Sequence, residues 1–353
     1  MRVLILGGAG FVGGAIALHL KHRYPNYQIT VLDNLRRRGS ELNLPRLRRA
    51  GVDFQHGDIR NPEDLHFETT FDLLIDASAE PSVLAGITSP VAQVVNNNLL
   101  GTVNCLELAK RTGAAFIFLS SSRVYPIEAI EAASYRESET RFVLDEEQVQ
   151  PGISGRGISE AFALNGSRSF YGATKLASEL LIQEYQSFFK LKTVINRCGV
   201  ITGPWQMGKV DQGVVVLWVA KHFFGGRLTY TGYGGLGKQV RDILHVDDLC
   251  RLVDWQMHHI EQINGELFNV GGGVECSVSL SELTGLCEEI VGNKLVIGSD
   301  PSTRPADIRM YLTDNAHVTR ATGWKPLSTP EAIVTDIRDW IEQNSADLGP
   351  ILG

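Results

Sequence analysis

Short, almost wholly apolar runs alternate with longer amphipathic stretches over the first two-thirds of the chain. The runs Val3–Leu6, Ile29–Leu32, Asp53–Gln55, Leu73–Ile75, Ala115–Leu119 and Thr193–Ile195 read as strands. Most lack the polar alternation of a sheet with one wet face, so they are expected to be parallel and covered on both sides. The stretches Val12–His22, Asn98–Arg111 and Thr174–Phe189 repeat apolar residues at helical spacing and read as helices between them. This strand–helix–strand rhythm predicts an α/β fold built on a doubly wound parallel sheet.

The rhythm changes after about Gly199, where glycines cluster at Gly225-Gly226, Gly232 to Gly237 and Gly271 to Gly273. The expected division is a main domain over 1–199 with a returning segment at about 240–265, and a smaller C-terminal α/β lobe over 200–239 and 266–353. The stretch from Ile127 to Gly166 is polar and irregular, and is expected to be a loop that partly covers the active site.

Composition narrows the classes of function. A net charge of −7 argues against a general nucleic-acid partner. The five cysteines (Cys105, Cys198, Cys250, Cys276, Cys287) are scattered and form no CxxC pair, so neither a disulfide framework nor a metal site is expected, and a cytoplasmic setting is. The run Val3–Leu6 meets Gly7 at once and is too short for a signal peptide or a membrane span.

That same run opens a candidate dinucleotide site. Gly7, Gly10 and Gly13 give GxxGxxG between the first strand and the first helix, which begins at Phe11-Val12. Missing side chains let the backbone approach a pyrophosphate, and a helix N-terminus offers free N–H groups to it. A glycine pattern alone also fits a plain strand–helix turn. Here an acid, Asp33, stands at the end of the second strand, 20 positions past Gly13. Its carboxylate suits ribose hydroxyls and repels a 2′-phosphate, so NAD is expected over NADP, in a Rossmann-type domain. Arg36, Arg37 and Arg38 follow and read as a solvated loop. Asn34, Asp58-Ile59 and Ala77-Ser78-Ala79 sit after strands two to four, where they suit cofactor contacts or ordinary turns.

Tyr171 and Lys175 form YxxxK, which a helix places on one face. An ammonium there can stabilise a phenolate, making the tyrosine a base near neutral pH. A chance surface pair is the competing reading. Ser120-Ser121-Ser122-Arg123-Val124-Tyr125, after the apolar strand Phe116–Leu119, supplies the second signal: a hydroxyl at a strand C-terminus.

Taken in order, GxxGxxG, Asp33, the Ser-x-x-Val-Tyr strand end and YxxxK resemble the extended short-chain dehydrogenase/reductase family. Further segments carry the resemblance nearly end to end: Asn98-Leu99-Leu100-Gly101-Thr102, Arg241 to Asp248, Phe268-Asn269-Val270-Gly271, Arg304 to Arg309 and Gly323-Trp324-Lys325-Pro326. The resemblance implies catalysis by Ser121, Tyr171 and Lys175 and an NAD contact at Asn98. It also implies substrate contacts at Ser122, Arg123, Gln206, Gln212, Gln239, Arg241, Asn269, Arg304 and Asp307, with Arg241 and Arg304 on phosphates. A structural ion pair is the competing reading of each arginine, most of all Arg309. In family members that dehydrate sugars, Asp-Glu follows the catalytic hydroxyl; here Ser122-Arg123 stands there, so dehydration is disfavoured. The segments Gln206–Gly213, Gly237–Asp242 and Asp33–Gly39 resemble the CDP-paratose/CDP-tyvelose 2-epimerase branch. The sequence departs from the wider family at Pro126, Asp76 and Val200.

The expected activity is therefore epimerisation of a CDP- or UDP-linked sugar, at C2 of a CDP-hexose in the favoured reading. A UDP-sugar 4-epimerase, a net oxidoreductase or decarboxylase on a related nucleotide sugar, and a non-enzymatic NAD sensor are the rivals. A homodimer is expected from the family, and neither nucleic acid nor membrane as partner.

Overall fold

The computed structural model describes residues 1–208 and 212–353. Lys209, Val210 and Asp211, inside the Gln206–Gly213 segment singled out above, lie outside the described residues. The chain divides into two compact units. The first comprises Met1–Val124, Ser169–Arg197 and Leu249–Phe268; the second comprises Tyr125–Arg168, Cys198–Asp248 and Asn269–Gly353.

A seven-stranded sheet organises the first unit. Its strands are β1 (Arg2–Leu6), β2 (Gln28–Asp33), β3 (Asp53–His56), β4 (Leu73–Asp76), β5 (Ala115–Ser121), β6 (Thr193–Cys198) and β7 (Leu267–Val270). Their spatial order is β7-β6-β5-β4-β1-β2-β3. The pairs β1–β2, β2–β3, β1–β4 and β4–β5 run parallel, in registers such as Val3↔Ile29 and Leu4↔Leu74. The order therefore reverses between β1 and β4, which is where open α/β sheets gather ligands at strand C-termini. Every residue of β4 and β5 is buried, which explains their lack of polar alternation. Leu4, Leu6, Leu74, Phe116 and Phe118 join Leu106, Leu108 and Ile182 in one core cluster.

Three helices matter for the site. Helix α1 spans Phe11–Arg23 and α2 spans Gly101–Thr112. A π-turn at Asn96–Leu100 precedes α2, so the stretch read as one helix from Asn98 is broken at its start. Helix α3 spans Phe170–Phe189 and begins one turn before the expected Thr174. The reason is local: the Ser169 hydroxyl accepts from Gly172 N at 3.1 Å and caps the helix.

The second unit carries a four-stranded sheet of Val200–Thr202, Val240–His245, Ser277–Ser279 and Met310–Tyr311. A parallel pair, Leu228–Thr231 with Ile297–Asp300, and helices Val214–Phe224, Leu280–Val291 and Pro330–Gln343 complete its main elements. The segment 127–166 is not an irregular loop. It holds the helix Ile127–Glu131 and two hairpins, Tyr135–Glu137 with Phe142–Leu144 and Ile153–Ser154 with Gly157–Ile158. These strands are two or three residues long, too short to show a period of two in sequence. Its anchors lie far away in the chain: Ile158 N donates to Leu312 O, and Phe142 N to Lys238 O. Among the described residues no helix is long and apolar enough to cross a membrane.

Candidate active site

At the N-terminus of α1 the chain builds a cradle from glycine. Gly7 has φ +73°, and a Cβ there would lie 2.8 Å from Ser78 Cα. A Cβ on Gly13 would lie 2.4 Å from the Gly7 carbonyl, so only glycine lets α1 pack onto the turn. Gly10 is the N-cap residue and no side chain caps α1, whose first turn, with Phe11 and Val12, offers its N–H groups to an anion. Asn43 is a residue the sequence reading missed: buried, its amide donates to Ala9 O at 2.9 Å and steadies this turn. Arg46 braces Asn43 from a half-buried position, and burial lowers its guanidinium to about 10.

Asp33 ends β2 beside the cradle. One oxygen accepts from Ala9 N at 3.1 Å and the other from Leu35 N at 2.8 Å. Burial raises its carboxyl above the ordinary value, opposed by these backbone donors. Asp58, after β3, is different: hydrogen bonds from Arg60 at 2.9 and 2.5 Å hold it well below the usual range. Asn34 donates to the same carboxylate at 2.9 Å. Ile59 packs close against Gly101. Arg36 and Arg38 are exposed.

The loop after β4 is sewn to its neighbours. Ala77 N bonds Leu6 O, and Ser78 donates through backbone and hydroxyl to the buried Asp76. Ala79 is followed by Glu80, whose backbone exchanges two hydrogen bonds with the Asn98 side chain, at 2.7 and 3.1 Å. The Asn98 side-chain amide also donates to Thr174 on α3, and the Asn98 backbone carbonyl accepts from the Ser178 hydroxyl. Asn98 thus fixes the loop, from within the π-turn.

Ser121 is the last residue of β5, and its Oγ accepts from Arg123 N at 3.1 Å within the short 3-10 turn Ser122–Val124. Tyr171 and Lys175 lie one turn apart on α3 and are both buried. The Lys175 ammonium donates to Leu119 O at 2.9 Å and Ser78 O at 3.4 Å, and sits 4.3 Å over the Phe118 ring. This ties it to the C-terminal ends of β4 and β5, next to Ser121. A buried hydroxyl, phenol and ammonium therefore share one region with the dinucleotide cradle, the constellation for taking a proton from an alcohol as a hydride leaves its carbon.

The second unit gathers some of the other candidates. Arg241 donates to Asp307 at 2.9 Å and to Ile308 O at 2.7 Å. Arg304 and Gln239 both reach Thr231, at its hydroxyl (3.4 Å) and its carbonyl (3.0 Å). Gln239 Oε1 is buried with no hydrogen-bond partner among the described residues. Asn269 is fully buried, its amide taken up by Tyr125 OH (2.8 Å) and Ile158 O (2.9 Å). Gln206 is engaged by Thr202 and Ile201 O, and Gln212 is half-buried. Arg309 pairs with Glu131 at 3.2 Å and lies 4.2 Å over the Tyr135 ring, a structural pair. Among the described residues no cluster of His, Cys, Asp or Glu forms a metal-ligand set.

This is the site of an NAD-binding α/β enzyme. Residues 3–271 match the NAD dependent epimerase/dehydratase family. The chain belongs to that family, and its cofactor is NAD. It is similar to the CDP-paratose 2-epimerase of Salmonella typhi, 30% identical over 96% of this chain and 99% of the relative. It is also similar to a dTDP-glucose 4,6-dehydratase of Streptomyces antibioticus, 30% identical over 99% of this chain and 95% of that one. Among solved structures, the UDP-glucose 4-epimerase of Thermus thermophilus in complex with NAD superposes with a TM-score of 0.75, at 25% identity over 96% of this chain and 99% of that chain.

Proposed function

We propose that the protein is a nucleotide-sugar epimerase that inverts C2 of a CDP-hexose through a transient keto-sugar. The observation that carries this reading over dehydration is the end of β5: Ser121 is followed by Ser122, Arg123, Val124 and Tyr125, with no carboxylate to serve as acid or base for loss of water. The choice of C2 and of a CDP-sugar is supported by the end-to-end likeness to a CDP-paratose 2-epimerase.

On this reading Tyr171, as phenolate, removes the proton of the reacting hydroxyl, and Ser121 holds the same oxygen. The positive charge of Lys175 stabilises the phenolate. NAD, held by the Gly7–Gly13 turn and Asp33, would supply the hydride acceptor and donor for that carbon when bound. Tyr171 then gives the proton back, so no reductant is consumed. Asp33 would accept hydrogen bonds from the adenine-ribose hydroxyls and disfavours a 2′-phosphate. We assign Arg304 and Arg241 to phosphate oxygens, which suit a guanidinium fork. Ser122, Arg123, Gln212, Gln239 and Asp307 are further assigned contacts, while the side-chain amides of Gln206 and Asn269 are both held within the protein.

The test is turnover of CDP-paratose and CDP-tyvelose labelled with deuterium at C2 or at C4, followed by mass spectrometry. A primary isotope effect from C2 alone, label kept in the product and no accumulation of NADH are expected. An effect at C4 alone would make the protein a 4-epimerase. Stoichiometric NADH, or no conversion of either CDP-sugar, would overturn the reading.

A further inference from the structure

Helix α3 carries a third buried side chain on the stripe of Tyr171 and Lys175. Glu179 follows Lys175 by four residues, so the three recur at one-turn intervals of about 6 Å along one face. A carboxylate in this interior must be matched by donors. Glu179 is matched from two strands. The Ser120 hydroxyl, on β5, donates to Oε1 at 2.5 Å. The Arg197 guanidinium, on β6, donates to both oxygens at 3.1, 3.1 and 2.7 Å. Both side chains of the ion pair are nearly inaccessible, at 5% and 2%.

The strand residues involved are consecutive. Lys175 grips the carbonyl of Leu119, Glu179 grips the hydroxyl of Ser120, and the next residue is Ser121. Because β5 and β6 are neighbours in the sheet, the Arg197 fork holds the same carboxylate from the adjacent strand. A shift of α3 along its axis breaks all of these contacts together, and a planar two-point fork tolerates little rotation.

We propose that Glu179, clamped between Ser120 and Arg197, is a positioning residue that fixes the register of α3 against β5 and so sets Tyr171 and Lys175 relative to Ser121. Glu179 touches no reacting atom and acts through the helix it anchors. The inference rests on the reading of Tyr171 as the base stabilised by Lys175. Its loss would act on catalytic geometry, where displacements near 1 Å cost on the order of 10²-fold in rate.

The experiment is a spectrophotometric titration of the NAD-saturated enzyme, following the ultraviolet band of tyrosinate in wild type and variants. The ionisation step missing from Tyr171→Phe identifies Tyr171. In the double variant Glu179→Met/Arg197→Met, which removes the pair without stranding a charge, this step is expected to move to higher pH by about one unit or more, the scale of one neighbouring charge. The melting temperature should stay near that of wild type. Ser120→Ala, which keeps the ion pair, should move it less and in the same direction; it also serves if the double variant fails to fold. A folded double variant with an unmoved step, or an unmoved step in Ser120→Ala where the double does not fold, would overturn the clamp while leaving Tyr171 in its role. A wild type with no step assignable to Tyr171 would instead remove the catalytic reading, and the clamp with it.

Discussion

Lys175 and Asp33 in the first unit and Arg309 in the second are surrounded by opposite kinds of partner. In the first, Lys175 is held by the carbonyls of Leu119 and Ser78, and Asp33 by the N–H groups of Ala9 and Leu35. In the second, Arg309 meets Glu131. Main-chain dipoles orient an ion and leave its formal charge in place. A carboxylate cancels the charge of a guanidinium, and the pair works chiefly as a joint. The difference separates residues placed to act on a ligand from residues that hold the fold, and it explains why Arg309 reads as structure.

The largest effect should come from testing the ion that carbonyls orient and the phenol it serves. Tyr171→Phe is expected to fold, bind NAD and lose turnover by about 10²–10⁴-fold, the span of general acid–base catalysis. Lys175→Met should lose as much and bind NAD more weakly. Steady-state kinetics and calorimetry on the two variants check both, and near-normal turnover in Tyr171→Phe would break the comparison at its first member.

Asp33 comes next. Asp33→Ala should weaken NAD binding by roughly 10-fold or more, the worth of hydrogen bonds to a charged group, and narrow the preference over NADP. Calorimetry with both cofactors reads this directly; tighter binding of NADP by the wild type would sink the assignment.

The smallest effect concerns an exception. Asp242 lies in the second unit, yet it too is held by neutral donors, Gly273 N and Thr313 N at 3.0 and 3.2 Å. Burial pushes its carboxyl up to about 6, from 3.8 for an ordinary one. Between those values the folded chain keeps a proton that the unfolded chain has lost, so this group costs stability as pH rises through the window. Thermal unfolding should show Asp242→Asn with a flatter decline in stability over that range than the wild type. Equal slopes would mean that Asp242 is no exception.

What the sequence disclosed was what neighbouring residues decide. GxxGxxG, the acid at Asp33 and the four-residue interval from Tyr171 to Lys175 are short-range patterns with a physical reason at each position. Strands β1, β4 and β5 announce themselves because burial on both faces leaves unbroken apolar runs; β3 is mostly exposed, and β7 is interrupted by Asn269. The joints were invisible for the converse reason. Arg309 finds Glu131 178 positions away, and Asn269 finds Ile158 111 positions away. Nothing local to Asn269 separates a substrate ligand from a tie for the 127–166 segment. Glu179 lay in plain view on the catalytic helix, but its meaning needs Arg197 on β6 and Ser120 on β5. Asn43 had no signal at all, since a short 3-10 turn brings it under the glycine cradle.

The first unit is assembled from three separated stretches of chain, and this has a consequence during synthesis. Strand β5 is wholly buried in the finished sheet, between β4 and β6. On the ribosome it is made well before β6, and until then it is the outer edge of a growing sheet, with Ala115, Phe116, Ile117, Phe118 and Leu119 lacking their final neighbour. At ~5–20 residues per second, the roughly 70 residues from Ser121 to Thr193 take several seconds to emerge. For that interval an apolar strand with open backbone groups invites pairing with another nascent chain. The protein is therefore expected to be most vulnerable to aggregation while it is being translated, and to gain most from chaperones that act at the exit tunnel.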